Sequence, residues 1–146
     1  MDIESKMHEF VRSQEAVYEQ VVDELAAGKK RSHWMWFIFP QLAGLGTSQM
    51  ARKFAIGSLE EARAYLQHAV LGPRLKECTR LMMAAEHNDV GKILGYPDDL
   101  KFRSCMTLFA AAEPEEGLFQ AALKQFFAGE PDSRTLQLLN EFPDDK

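Results

Sequence analysis

The residues best suited to chemistry lie in one stretch, from Ser32 to Ser48. His33 can act as a general acid or base, because an unperturbed imidazole has a pKa of about 6.5. Trp34 and Trp36 offer flat rings on which a planar ligand can stack. The stretch also holds groups that can hydrogen-bond a ligand or help to hold an anion, namely Gln41, Gly46 and Ser48. It therefore predicts either a pocket for an aromatic ligand, with His33 as the catalytic residue, or an aromatic core with a satisfied histidine.

Three further candidates lie later in the chain. Arg74 falls in the first turn of a predicted helix, where a guanidinium can pair with phosphate or carboxylate. Lys101, Ser104 and Thr107 share roughly one side of another predicted helix, since they follow at intervals of three. We add Arg74, Lys101 and Thr107 to the predicted ligand-binding residues. The alternative for the second helix is that its hydroxyls fill small spaces between helices while Lys101 extends to water.

Several well-known catalytic signatures are absent from the sequence. It contains no P-loop, no glycine-rich dinucleotide motif, no zinc-protease motif and no nucleophile elbow. Its four histidines are far apart, and Cys78 and Cys105 have no neighbouring cysteine, so their spacing fits neither a zinc site nor a redox dithiol. We therefore predict no metal, no cofactor and two buried cysteines. Isolated cysteines and an acidic N-terminus without an apolar signal segment indicate a cytoplasmic protein.

Hydrophobic spacing predicts helices as the elements that position these residues. Apolar residues recur at helical intervals from Ser5 to Ala27, and Ser58 with Glu61 forms a capping box that opens a helix ending near Gln67. Further helices are predicted at 47–56, from 72, at 89–94, from 98, before 129 and from 133. The sequence thus predicts a mainly α protein. We expect a single compact domain, residues 1–146, of about seven or eight helices and no extended sheet.

The aromatic block, residues 33–39, does not follow an amphipathic pattern. Seven consecutive large side chains precede Pro40, so the segment must be buried on all sides. Periodicity alone cannot separate a short central strand from a core helix. The sequence holds no other β-branched or alternating run that could pair with a strand, and this favours the helix.

Composition excludes several classes of protein. The chain has 146 residues and a net charge of −5, from 17 Lys and Arg against 22 Asp and Glu. Its one basic cluster, Lys29-Lys30-Arg31, is short and is interpreted as a solvated loop, so binding to duplex nucleic acid is not expected. No stretch approaches the roughly 20 apolar residues that a membrane span needs.

One run of residues carries a family resemblance. It comprises Lys30-Arg31-Ser32-His33-Trp34-Met35-Trp36-Phe37-Ile38-Phe39-Pro40-Gln41, followed by Gly44-Leu45-Gly46 and Ser48. This run resembles a bacterial family known as domain of unknown function 1810, and the likeness extends from Phe10 to Leu139. The sequence departs from the family at Ala69, where a proline is typical, and at Cys105, where a serine is usual. The resemblance implies a small helical domain that forms an entire protein, and it implies no particular reaction.

A shorter stretch resembles a second family. Thr47-Ser48, followed by Ala51 and Lys53-Phe54, is similar to a polar cap and lysine-bearing helix of the NADAR family. Those helical domains are tied to the metabolism of NAD derivatives and ADP-ribose. This resemblance implies a nucleotide-like ligand.

Two functions of different classes are consistent with the sequence. The first is binding, or chemical conversion, of an anionic nucleotide-like small molecule related to NAD or ADP-ribose. The alternative is a non-enzymatic protein-interaction domain, in which the aromatic block is purely core and an apolar patch is exposed to a partner. The sequence identifies neither a reaction nor a protein partner.

Overall fold

The computed structural model describes residues 2–141, and the regular elements in that range are helices. Within these described residues ten α-helices follow one another, with a 3-10 turn at Pro114–Glu116: α1 (Ile3–Glu15), α2 (Tyr18–Ala26), α3 (Met35–Ile38), α4 (Gln49–Lys53), α5 (Leu59–Gln67), α6 (Leu71–Met83), α7 (Val90–Leu94), α8 (Asp98–Ala112), α9 (Leu118–Phe127) and α10 (Ser133–Glu141). The extended pairing found there is one isolated parallel bridge between Leu42 and Ile56. The prediction of a mainly α fold is confirmed. None of these helices is long and apolar enough to cross a membrane.

Helix α8 forms the centre of the fold. Its buried residues face nearly every direction and include Phe102, Cys105, Met106 and Phe109. A helix that is apolar all round has to be surrounded by other elements, and α8 packs against α5, α7, α9 and α10. Both cysteines are buried, as predicted.

The first predicted helix is in fact two. The chain leaves the helical conformation at Val17 (φ −131°, ψ −1°), so α1 and α2 replace the single helix expected over 5–27. The break lets α2 pack against α6. It also leaves Gln14, near the end of α1, buried, where its Nε2 donates to the Phe37 carbonyl at 2.7 Å and the Tyr65 hydroxyl at 3.0 Å. Apolar spacing continues across the break and therefore did not indicate it.

The centre of the aromatic block forms the short core helix α3, but the expected burial on all sides fails at His33, which is exposed. Trp34, Phe37 and Phe39 are buried, and only Trp36 among its aromatic rings is half-exposed. The ring of Phe39 meets Phe102 of α8 edge-on, with centroids 4.9 Å apart. The helical interpretation of residues 33–39 is confirmed for Met35–Ile38.

The structure describes more helices than the seven or eight expected. The first predicted helix is divided into α1 and α2, and the single turn of α3 counts as a helix of its own. The serine half of the predicted capping box is confirmed, with Ser58 Oγ accepting from the Glu61 amide at 3.1 Å. The Glu61 carboxylate itself accepts from the Gly57 amide and from Lys6 Nζ, each at 2.8 Å. The start of α5 is thereby tied to α1.

Candidate functional site

Four of the predicted ligand-binding residues meet in what we term the aromatic cleft, defined by Trp36, Gln41, Gly46 and Lys101. They come from α3, the loop after it and α8. Lys101 Nζ lies 6.0 Å from the centre of the Trp36 ring. The cavity between them measures only about 10 Å³, which is room for about one water molecule. The cleft is therefore closed to a ligand of nucleotide size.

Close packing of Gly46 keeps the aromatic cleft closed. A Cβ atom on Gly46 would lie 2.5 Å from the Cβ of Ala51 in α4, so the loop can approach α4 only because residue 46 lacks a side chain. Ser48 is the N-cap of α4, and its Oγ accepts from the Ala51 amide at 3.1 Å. Gly46 and Ser48, which the sequence predicts to bind a ligand, thus join the loop to α4.

Two other predicted ligand residues lie inside the protein. Trp34 is fully buried, its Nε1 donates to Glu24 at 2.9 Å, and Lys30 Nζ lies 5.1 Å from its ring centre. Thr107 is also buried, where its Oγ1 donates to the Arg103 carbonyl and accepts from the Asp132 amide, both at 2.8 Å. The hydroxyl of Thr107 therefore joins α8 to the start of α10.

Arg74 lies away from the aromatic cleft, in α6. Its Nη2 donates to Glu15 at 2.5 Å and its Nη1 to Gln14 Oε1 at 3.4 Å. The guanidinium carbon lies 4.6 Å from the centre of the Tyr18 ring. These contacts link α6 to α1 and α2, and a role for Arg74 in ligand binding stays a prediction.

His33, the predicted catalytic residue, is exposed in the loop before α3. A catalytic base is usually oriented by a second hydrogen-bonding group. Within residues 2–141, His33 forms no such contact with another side chain. Its catalytic role also stays a prediction.

Glu24 of α2 holds the loop that precedes the aromatic block, and the sequence interpretation missed it. Its buried carboxylate accepts hydrogen bonds from the Arg31 amide at 2.8 Å, the Ser32 amide at 3.1 Å, Trp34 Nε1 at 2.9 Å and the Ser32 hydroxyl. Burial alone would raise the pKa of Glu24, but these donors outweigh it and hold the pKa at about 2. The signal was present, since Glu24 shares the apolar face of α2 with Val21 and Leu25.

The larger cavity lies beside this loop, and we term it the basic cleft, defined by Lys29, Lys30, Arg31, His87 and Lys92. Its volume is about 580 Å³, within the range typical of small-molecule sites. Its lining contains four lysine or arginine side chains and no aspartate or glutamate. The Lys30 amide donates to the Ile93 carbonyl at 2.7 Å, which joins the loop to α7.

The cations of the basic cleft differ in how they are paired. Lys30 is almost buried and its Nζ pairs with Asp98 at 3.0 Å, so the solvated-loop interpretation is wrong for this residue. Lys29, Arg31 and Lys92 form no ion pair with any residue in the described range 2–141. The nearby C-terminus of α2 carries only about half a negative charge. The residues that line the cleft therefore carry a net positive charge on a chain whose net charge is −5, while the carboxylates of Glu24 and Asp89 lie beside it and accept from the Arg31 and Lys92 amides.

His87 adds a hydrogen-bond donor to the basic cleft. Its Nδ1 accepts from the Asp89 amide at 3.3 Å, so the neutral ring carries its proton on Nε2. Sequence spacing could not have grouped His87 and Lys92 with Lys29 and Arg31, because about 60 residues separate the two segments.

The described residues offer no other arrangement of reactive groups that we can identify as a site. Across them, no three His, Cys, Asp or Glu side chains lie where they could hold a metal ion. Burial raises the pKa of the Cys78 thiol to about 12, so it is protonated near neutral pH.

Comparison with known proteins agrees with the fold. The crystal structure of the conserved hypothetical protein Rv1873 from Mycobacterium tuberculosis, at 1.38 Å, matches with a TM-score of 0.90 and 52% sequence identity. The match covers 92% of this chain and 96% of that chain. No curated protein matches. The likeness to the NADAR family stays a prediction.

The family itself is identified by a sequence model that covers most of the chain. The model is described as "Protein of unknown function (DUF1810)" and matches residues 4–139. This range includes the aromatic block and both segments of the basic cleft. The chain belongs to the DUF1810 family.

Proposed function

We propose that this protein binds an anionic, nucleotide-like small molecule in the basic cleft. The observation that carries the proposal is the convergence of Lys29, Arg31 and Lys92, three unpaired cations, on one cavity of about 580 Å³. Phosphate groups are the natural partners of such side chains. The ligand class expected from the sequence is retained, while its place moves from the aromatic block to the loop before it.

The backbone under these cations is held in place, which favours specific binding over loose ion condensation. Glu24 fixes the amides of Arg31 and Ser32, and Lys30 is tied to Ile93. A binding group on an ordered backbone loses less conformational entropy when a ligand arrives. The aromatic block therefore helps to fix the loop of the basic cleft, because Trp34 donates a hydrogen bond to Glu24, which holds that loop.

The basic cleft and the aromatic cleft are connected through Asp98 at the start of α8. Its carboxylate lies 3.0 Å from Lys30 Nζ and 3.7 Å from Lys101 Nζ. A phosphate close to Lys30 would compete with this carboxylate for the ammonium group, and a weaker Lys30–Asp98 ion pair would leave Asp98 freer to pair with Lys101. In this proposal Lys101 responds to the ligand indirectly, together with the Trp36 ring that it contacts.

The test is a titration with ADP, ADP-ribose, NAD and pyrophosphate, measured by calorimetry and by thermal shift. We expect at least one phosphate compound to bind, with Arg31→Ala and Lys92→Ala each weakening it about tenfold, the loss expected for one charged hydrogen bond. Arg52→Ala and Lys53→Ala of α4, which do not line the cleft, serve as matched controls. No binding of any compound, or equal losses in the controls, would contradict the proposal.

A second candidate function is protein interaction. This candidate assumes that the aromatic block is part of the core, and the burial of Trp34, Phe37 and Phe39 favours it. That candidate needs an exposed apolar patch. The large hydrophobic side chains exposed within residues 2–141 are Tyr96, Leu100 and Leu136, of which two flank the start of α8. Co-purification with the protein and with a Tyr96→Ser, Leu100→Ser variant tests it. A partner retained by both would argue against this patch.

A further inference from the structure

The basic cleft continues into a second cavity of different chemical character. This cavity measures about 310 Å³ and shares Ala27, Gly28 and His87 with the basic cleft. Because they share three lining residues, the two cavities adjoin, and together we term them the groove. We term the second part the acceptor lobe, defined by Ala26, Ala84, Ala85 and Glu86.

The acceptor lobe is negative where the basic cleft is positive. It lies at the C-terminal ends of two helices, α2, which ends at Ala26, and α6, which ends at Met83. The C-terminal end of a helix carries a partial negative charge. Most of the last carbonyls of α2 and α6 already accept hydrogen bonds, for example those of Glu24 from the Lys29 amide and of Met83 from Gln125 Nε2. Glu86 adds a full charge, and neither lysine nor arginine lines this part of the groove. A second phosphate would be repelled here, whereas a hydroxyl group could donate to the Glu86 carboxylate.

We infer that one ligand occupies both parts of the groove, with its phosphate in the basic cleft and its sugar hydroxyls in the acceptor lobe. The ligand class is then a sugar phosphate, with a ribose phosphate as the part of a nucleotide that the groove recognises. This inference rests on the proposed function, because it requires the phosphate to bind among Lys29, Arg31 and Lys92.

His87 lies at the junction of the two parts and fits this division. It lines both cavities, and its Nδ1 is occupied by the Asp89 amide. The remaining Nε2 proton can be donated to an oxygen between the phosphate and the sugar. The groove thus presents cations, an imidazole N–H donor and the Glu86 carboxylate as an acceptor.

An amine attached to a phosphate has related chemistry, because it also combines an anion with hydrogen-bond donors. The experiment therefore compares ribose 5-phosphate, phosphoethanolamine, inorganic phosphate and ribose, each titrated into the full chain by calorimetry. We expect ribose 5-phosphate to bind at least tenfold more tightly than inorganic phosphate and more tightly than phosphoethanolamine. Tighter binding of phosphoethanolamine would overturn the assignment to a sugar.

Variants separate the two parts of the groove. Glu86→Ala is expected to weaken ribose 5-phosphate about tenfold, the loss of one charged hydrogen bond, while inorganic phosphate binds as well or better. Lys92→Ala should weaken both. Glu115→Ala, in the 3-10 turn before α9, is the matched control and should change neither. Melting temperatures of all variants show whether each remains folded.

The outcomes distinguish this inference from the proposed function. If ribose 5-phosphate and inorganic phosphate bind equally, and Glu86→Ala changes neither, the inference is overturned while anion binding stands. If the unaltered protein binds none of the phosphate compounds, the proposed function itself is overturned.

Discussion

At the residue scale, the basic cleft depends on Glu24, an acidic side chain that does not line it. One buried carboxylate accepts from two consecutive loop amides, a hydroxyl and an indole N–H. Hydrogen bonds to an ionised acceptor are stronger than those between neutral groups. The same carboxylate therefore fixes the backbone of Arg31 at the surface and the indole of Trp34 in the core.

Removing this carboxylate should destabilise the protein. Glu24→Ala leaves the Arg31 and Ser32 amides and the Trp34 indole without their acceptor, and we expect a loss of about 3 kcal/mol in the free energy of unfolding. Urea denaturation measures it. Glu19→Ala, at an exposed position on the same helix, should cost less than about 0.5 kcal/mol. A loss below about 1 kcal/mol for Glu24→Ala would refute this role.

The low pKa of Glu24 also predicts how stability depends on pH. The folded value of about 2 lies below the ordinary value of 4.5. The stabilisation is therefore fully present above the ordinary pKa and is lost as the pH falls toward 2, to a total of about 3 kcal/mol. Unfolding free energies between pH 6 and pH 2 should fall less steeply for Glu24→Gln than for the unaltered protein. Parallel curves would show that Glu24 does not contribute.

At the element scale, the helices that bury one face were predictable and the junctions between them were not. The helix that opens at Ser58 was predicted because its cap and its apolar spacing are both local in sequence. The break at Val17 was missed because the buried amide of Gln14 binds Phe37 and Tyr65, which are distant in sequence. The aromatic block could be assigned to the core, yet its closed cleft depends on contact between the following loop and α4.

That contact gives a prediction at Gly46. A Cβ at this position would lie 2.5 Å from Ala51 Cβ, so Gly46→Ala should overpack the loop against α4 and cost about 1–3 kcal/mol. Thermal or urea unfolding measures the change. Gly57→Ala is the matched control, since its new Cβ would meet Glu61 Oε1 at 3.5 Å, an ordinary contact.

The partner residue of Gly46 supplies the decisive comparison. Ala51→Gly removes the side chain that a new methyl group at residue 46 would meet. We therefore expect the double variant Gly46→Ala, Ala51→Gly to recover part of the lost stability, beyond the sum of the two single effects. Strict additivity would show that the destabilisation arises elsewhere.

At the scale of the whole molecule, the site is a product of chain folding rather than of any motif. Lys29 and Arg31 follow α2, whereas His87 and Lys92 lie about 60 residues later and reach the same cleft because α7 packs on the loop through Ile93. The sequence grouped Trp36, Gln41 and Gly46 in one stretch, but it could not show that they meet Lys101 of α8 or that the space between them is closed. Family membership could be inferred from the sequence. The candidate site could be identified only from the cavity and the charged residues that the fold brings to it.

The distribution of charge predicts that binding depends on salt. The chain is acidic overall, with a net charge of −5, so the field of the basic cleft attracts anions only at short range. At about 0.1 M salt, charges more than roughly 10 Å apart are largely screened. Raising NaCl from about 0.05 to 0.2 M should therefore weaken ADP binding several-fold. The double variant Arg31→Ala, Lys92→Ala should show a shallower dependence, because fewer cations contribute. Salt-independent affinity, measured by calorimetry in both proteins, would show that the unpaired cations do not hold the ligand.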